Sequence, residues 1–201
     1  MRTMWLVCII LFVLILIVAC YVITRGNKAR QNLAAQTKTS VDDIIKLLDT
    51  DINDIWDIQD QNSFIIAMNG WLCKKCNYGD DIEKLSHAER VIFIIIQLEN
   101  EVNNGGFLQY WYNSSGKFAN EIVEALREIG AYKTADICAT ALSELGNEVT
   151  EDLELQLESM TTDSVNEILS ECESKFYSYP DNLEELNYKF IIENRSQFTR
   201  N

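Results

Sequence analysis

Cys73-Lys74-Lys75-Cys76 is the first group in this chain with spacing suited to chemistry. Two thiols separated by two residues make half a zinc site or a redox pair. A zinc site needs two more ligands, but no second Cys-x-x-Cys follows, and Cys138 and Cys172 stand singly on predicted helices. There, a buried inert thiol is the default. For Cys73 and Cys76, metal binding, a disulfide and free thiols all remain open at this level. A cytoplasmic location keeps them reduced, and an external one permits a disulfide. The single histidine, His87, falls in the first turn of a predicted helix beside Glu89 and Arg90, with no nucleophile at a meaningful spacing. It reads as a surface or capping residue. Asn103-Asn104-Gly105-Gly106 lacks the Lys-Ser/Thr that a phosphate loop needs. No catalytic, cofactor or metal residue is assigned from sequence, and the chain reads as non-enzymatic.

The carboxylates are the stronger signal. The 201 residues carry 31 Asp and Glu against 17 Lys and Arg. Four of the bases lie in the acid-free first 30 residues, so the remainder has a formal charge of −18. Such a surface repels nucleic acid and anionic lipid and attracts basic proteins or cations. Thr134 to Ser174 holds eleven acids and no Lys or Arg. Spread along a helix at about 1.5 Å per residue, that is a charge every ~5–6 Å, sparser than the ~3.4 Å of one DNA strand. Several acidic helices side by side approach the density of a duplex. From charge density alone, the candidates for contacting a basic partner are Asp42, Asp43, Asp49, Asp54, Asp57, Glu144, Glu148, Glu151, Asp152, Glu154 and Glu158.

Helices must position these charges. Val41 to Gln59 reads as one amphipathic helix, with Val41, Ile44, Ile45, Leu48, Ile52, Ile55 and Trp56 on a stripe opposite the aspartates. Ser63 to Trp71 is an apolar helix or buried segment, and Cys73 to Asp81 a polar loop. Ser86-x-x-Glu89 is a capping-box pattern opening a helix that is apolar on nearly every side from Val91 to Leu98. Further helices are expected over Lys117–Ile129, Ala131–Leu145 and from Glu151, Ser164 and Asp181. The prediction is an all-α, single multi-helix domain.

Between two of these helices lies Glu101-Val-Asn103-Asn104-Gly105-Gly106-Phe107-Leu-Gln109-Tyr110-Trp-Tyr-Asn113-Ser114-Ser115-Gly116. Adjacent glycines tolerate the left-handed backbone of a helix end, and Asn and Ser can cap the next one. The stretch is expected to form a structural corner, with Asn103, Asn104, Gln109 and Asn113 as buried amides satisfying backbone groups.

Together with Ala125-Leu126-Arg127-x-Ile129-Gly130-Ala131, Tyr179-Pro180 and the closing segment from Tyr188 to Phe198, this motif resembles the bacterial DNA-mimic protein family over about Leu85–Phe198. The resemblance implies a helical fold, a homodimer, and carboxylates presented in place of phosphates to the DNA-binding surface of a basic protein such as a transcription factor. It assigns no particular acid to that task.

Met4 to Ile23 is twenty residues without a charge, long enough to span a bilayer as a helix. Residues 1–24 are read as a membrane anchor, 25–40 as a polar tether and 41–201 as the acidic domain. Arg25, Lys28 and Arg30 after the span outnumber Arg2 before it, which puts the domain in the cytoplasm. Ile17-Val18-Ala19-Cys20 also resembles a lipoprotein signal box, and that alternative places the domain outside, as an envelope protein of the same fold binding a peptide, toxin or cation.

Overall fold

Ser86 stops one segment and starts the helix around which the others pack. Its Oγ accepts from the Glu89 N–H (3.2 Å) and its own N–H donates to Glu89 Oε2 (2.8 Å), the reciprocal box the sequence predicts. The computed structural model describes residues 41–145 and 163–200. Residues 41–48 (α1) are helical, followed by α2 (Ile52–Ile55), α3 (Gln61–Lys75), α4 (His87–Tyr112), α5 (Ala119–Glu128), α6 (Tyr132–Leu145), α7 (Asp163–Phe176) and α8 (Leu183–Glu193). Short 3-10 turns occupy Asn77–Gly79, Ile82–Lys84, Ser114–Phe118 and Arg195–Gln197. Among the described residues there is no strand. The chain divides into units Met1–Lys46 and Leu47–Asn201; of the first, the described residues are 41–46, helical and exposed.

In the second unit α4 is central, touching α3, α5, α6, α7 and α8. Val91 through Ile96 are all at most 5 % exposed, so this run is enclosed on every side. A helix interior suits it because the backbone satisfies itself and the β-branched side chains fill the packing on all sides. Leu98 and Val102 carry the same core up to the glycines, and Phe107 and Tyr110 carry it beyond them. The turn between α5 and α6 is a Schellman closure. Gly130 has φ +87°, its N–H donates to Arg127 O, and the Ala131 N–H donates to Leu126 O. Ala135, Cys138 and Ala141 are fully buried on α6, whose small residues allow close approach to α5 and α7.

Three local expectations are corrected. Val41–Gln59 is not one helix: α1 ends at 48, and Asp51 accepts from the Asn53 N–H (3.0 Å), which caps α2 as a new start. An aspartate offering its oxygen to the backbone competes with helix continuation. Of the expected stripe, Ile52 and Ile55 are buried, whereas Val41, Ile44 and Ile45 are exposed. Cys73 lies in the last turn of α3 and Cys76 is its C-cap, so neither belongs to a loop. Asn and Ser do not cap α5, which begins after Phe118 without a side-chain cap. Met4–Ile23 and the helix expected from Glu151 lie outside the described residues. Among those described, no helix is long and apolar enough to cross a membrane.

Candidate functional site

The glycine stretch forms a break inside α4. Gly105 and Gly106 leave helical geometry, Gly106 at φ +80° and ψ −176°, a region that side-chain-bearing residues avoid. A break frees backbone groups on both sides, and the end of α7 supplies their partners. The Phe107 N–H donates to Glu173 Oε1 (3.0 Å), placing a carboxylate at the start of the second half-helix. The Tyr177 hydroxyl donates to Val102 O (2.9 Å), and Asn103 Nδ2 donates to the Tyr179 hydroxyl (2.7 Å). Phe107 packs edge-on against Phe176 at 5.7 Å between centroids. The corner is thus a clamp built by α4 and the C-terminal end of α7.

The amides do something other than expected. Asn103, Asn104 and Asn113 are exposed and Gln109 is half-buried. Gln109 Nε2 (2.8 Å) and Asn113 Nδ2 (2.6 Å) both donate to Glu101 Oε2, a bridge between side chains that spans the break. A carboxylate within reach is a stronger acceptor for these amides than a backbone carbonyl. Tyr110, Ser115 and Gly116 are buried beneath, while Ser114 and Gly105 face solvent.

The acids divide into those that hold the fold and those that project from it. Glu89 is fully buried, bound by Lys75 Nζ at 2.8 Å through both oxygens and by the Thr199 N–H at 3.2 Å. Asp181 caps α6 through the Thr134 N–H (2.8 Å), and Asp60 caps α3 through the Ser63 N–H (2.9 Å). Arg90 grips Glu121 with two 2.7 Å bonds, and His87 Nε2 lies 2.9 Å from Glu128 Oε1, pairing α4 with α5. His87 is therefore a surface pair, as its sequence context suggests. Local ion pairs also engage two charge-density candidates, Asp49 with Lys74 and Asp43 with Lys46. Asp42, Asp54 and Asp57 are exposed and Glu144 is half-buried. Glu148, Glu151, Asp152, Glu154 and Glu158 lie outside the described residues.

A stripe not singled out from sequence stands on α7. Asp163, Glu167 and Glu171 are all exposed and recur every fourth residue. Their axial spacing is about 6 Å, since each residue rises roughly 1.5 Å. The i, i+4, i+8 register was the available signal; a count of acids over a long window obscures it. Lys175, a turn further on, holds the Glu171 carboxyl below its ordinary range, mainly through a hydrogen bond.

The cysteines have the electrostatics of packing thiols. Burial, with a smaller contribution from neighbouring Cys76, pushes the Cys73 thiol up to about 11, and burial also raises Cys76. Cys73 Sγ donates to Asn69 Oδ1 at 3.5 Å. Cys73, Cys76, Cys138 and Cys172 are all free, and no group of three potential ligands gathers for a metal among the described residues. A raised thiol holds little thiolate, the reactive form. At pH 8, iodoacetamide is expected to label Cys73 more slowly than an exposed thiol by a factor on the order of 100. A mass-spectrometric time course measures this, and labelling at the rate of free cysteine would contradict the burial argument.

A family model described as DMP19-like protein matches residues 83–194, more than half of the chain. The matched span includes the capping box, the glycine corner and α7 with its stripe and clamp. No curated protein matches the chain, and no solved structure does.

Proposed function

Given that the chain belongs to the DMP19-like protein family, we propose that it binds a basic, DNA-binding protein by presenting carboxylates where that partner expects phosphates. The reading is of a non-catalytic protein tethered to the membrane through Met4–Ile23, with the acidic domain in the cytoplasm and paired as a homodimer. The observation that carries it is the division of the acids. Capping, bridging and burial occupy Glu89, Glu101, Glu173 and Asp181, which leaves Asp163 and Glu167 projecting from α7 and Asp54 and Asp57 from the segment around α2. Carboxylates at about 6 Å intervals are sparser than the phosphates of one DNA strand, so a duplex-like density would need acids from more than one element. Binding would be driven by ions released from the partner's Lys and Arg face, and would therefore depend steeply on salt.

Membrane vesicles carrying the full chain test anchor, orientation and partner together. Vesicles with the cytoplasmic face outward are expected to retain basic DNA-binding proteins, and right-side-out vesicles are not. Raising salt from 50 to 200 mM should weaken capture at least about tenfold, and duplex DNA should release what is held. Capture indifferent to both salt and duplex DNA would rule out the mimicry. Capture only on right-side-out vesicles would place the domain outside the cell.

A further inference from the structure

A cavity of about 180 Å³ opens between α3, α4 and α8, bottomed by Asn187 and walled by isoleucines of α3 and α4. Asn187 is 1 % exposed, and neither its Oδ1 nor its Nδ2 has a hydrogen-bond partner. A buried amide left unmatched at both ends is costly, so a group that fills the cavity and bonds to it gains more than a surface contact would. Glu99 lies half-buried in the wall, and Glu184, Asn62 and Asn100 stand at the exposed rim. Burial first, and the charge of Glu184 after it, raise the Glu99 carboxyl, while a hydrogen bond with Tyr179 opposes them. Two carboxylates and four amides, Asn69 included, thus line the cavity with no cation among them.

The volume equals about six waters and is below the roughly 300 Å³ of small-molecule pockets. It suits one side chain. We propose that this cavity receives the guanidinium of an arginine, with Glu99 and Glu184 opposing its charge and Asn187 Oδ1 accepting one of its N–H groups. A planar fork of five donors can be shared among the floor amide, Glu99 in the wall and Glu184 at the rim, whereas an ammonium offers three donors from one point. The isoleucines pack against the aliphatic stem. That the arginine is supplied by a basic protein partner rests on the function proposed above; the cavity's preference for guanidinium does not.

Titration of the full chain with N-acetylarginine methylamide, followed by the side-chain amide resonance of Asn187, tests it. A saturable shift is expected with the arginine probe and none with the neutral citrulline analogue, and the lysine analogue should bind at least tenfold more weakly. Glu99→Gln keeps the shape and should weaken binding at least about tenfold, as loss of a charged partner does. Followed through the rim amide resonances of Asn62 and Asn100 instead, binding to Asn187→Leu should be abolished with the circular dichroism unchanged. Absence of a saturable shift, equal binding of citrulline or lysine, or an unaffected Glu99→Gln variant would each overturn the assignment. Arginine binding without DNA-competed capture on vesicles would leave the cavity standing and remove mimicry. Capture without arginine binding would remove the cavity alone.

Discussion

Lys75→Met is expected to destabilise the domain by about 3–5 kcal/mol, because it strands the Glu89 carboxylate in the core. Glu89 is 0 % exposed and the Lys75 side chain 9 %, so water cannot replace the lost partner. The carboxylate would keep the Ser86 and Thr199 N–H groups, which stabilise its charge incompletely. For a domain of this size the loss corresponds to a melting temperature lowered by roughly 6–20 °C. Urea unfolding followed by circular dichroism measures it. Adding Glu89→Gln to Lys75→Met should recover part of the loss, since the amide can still accept from the capping-box N–H without carrying a buried charge. A single-variant cost below about 1 kcal/mol would mean that solvent reaches the pair.

Gly106→Ala is expected to cost about 2–4 kcal/mol from two sources. The backbone at φ +80° is strained for any residue with a Cβ, and that Cβ would overlap the Glu173 carboxylate where it caps Phe107. The two are separable. In a Glu173→Ala background the overlap is absent, so Gly106→Ala should there cost only the strain, about 1–3 kcal/mol. The expected coupling in this double-mutant cycle is about 1 kcal/mol. If Gly106→Ala instead leaves stability intact and abolishes capture of the basic partner, the corner is a binding surface and not an architectural device.

The helices were legible in sequence where their determinants are local. Ser86 and Glu89 announce the start of α4 three residues apart, Val91 to Leu98 declares its burial, and Gly105-Gly106 marks the break. Gly130 ends α5 in the same way, through its own backbone freedom. What escaped is supplied from far along the chain. Glu89 reads as a cap, but its burial depends on Lys75 and on Thr199, 110 residues away. Glu173 is one of eleven acids in a run and nothing nearby distinguishes it from Glu171; only the fold brings it to Phe107. The amides of the motif were expected in the interior because glycines and aromatics surround them, yet Glu101 holds Gln109 and Asn113 at the surface. For the acidic faces, the sequence showed the charge total, and which carboxylates are already engaged required three dimensions. The transmembrane and tether readings concern residues 1–40, outside those described.

The clamp at the glycine corner also dictates an order of events on the ribosome. Its bonds join residues 66 and 75 positions apart in sequence, from Phe107 to Glu173 and from Val102 to Tyr177. At about 5–20 residues per second, translation leaves the corner without its cap for roughly 3–15 s after the glycines are made. Once the apolar run Val91–Leu98 has left the exit tunnel, it stays partly uncovered until α8, which faces Ile96 across the cavity, follows it. The nascent chain is therefore most vulnerable to aggregation, and most dependent on a chaperone, until Glu173 and α8 have left the exit tunnel.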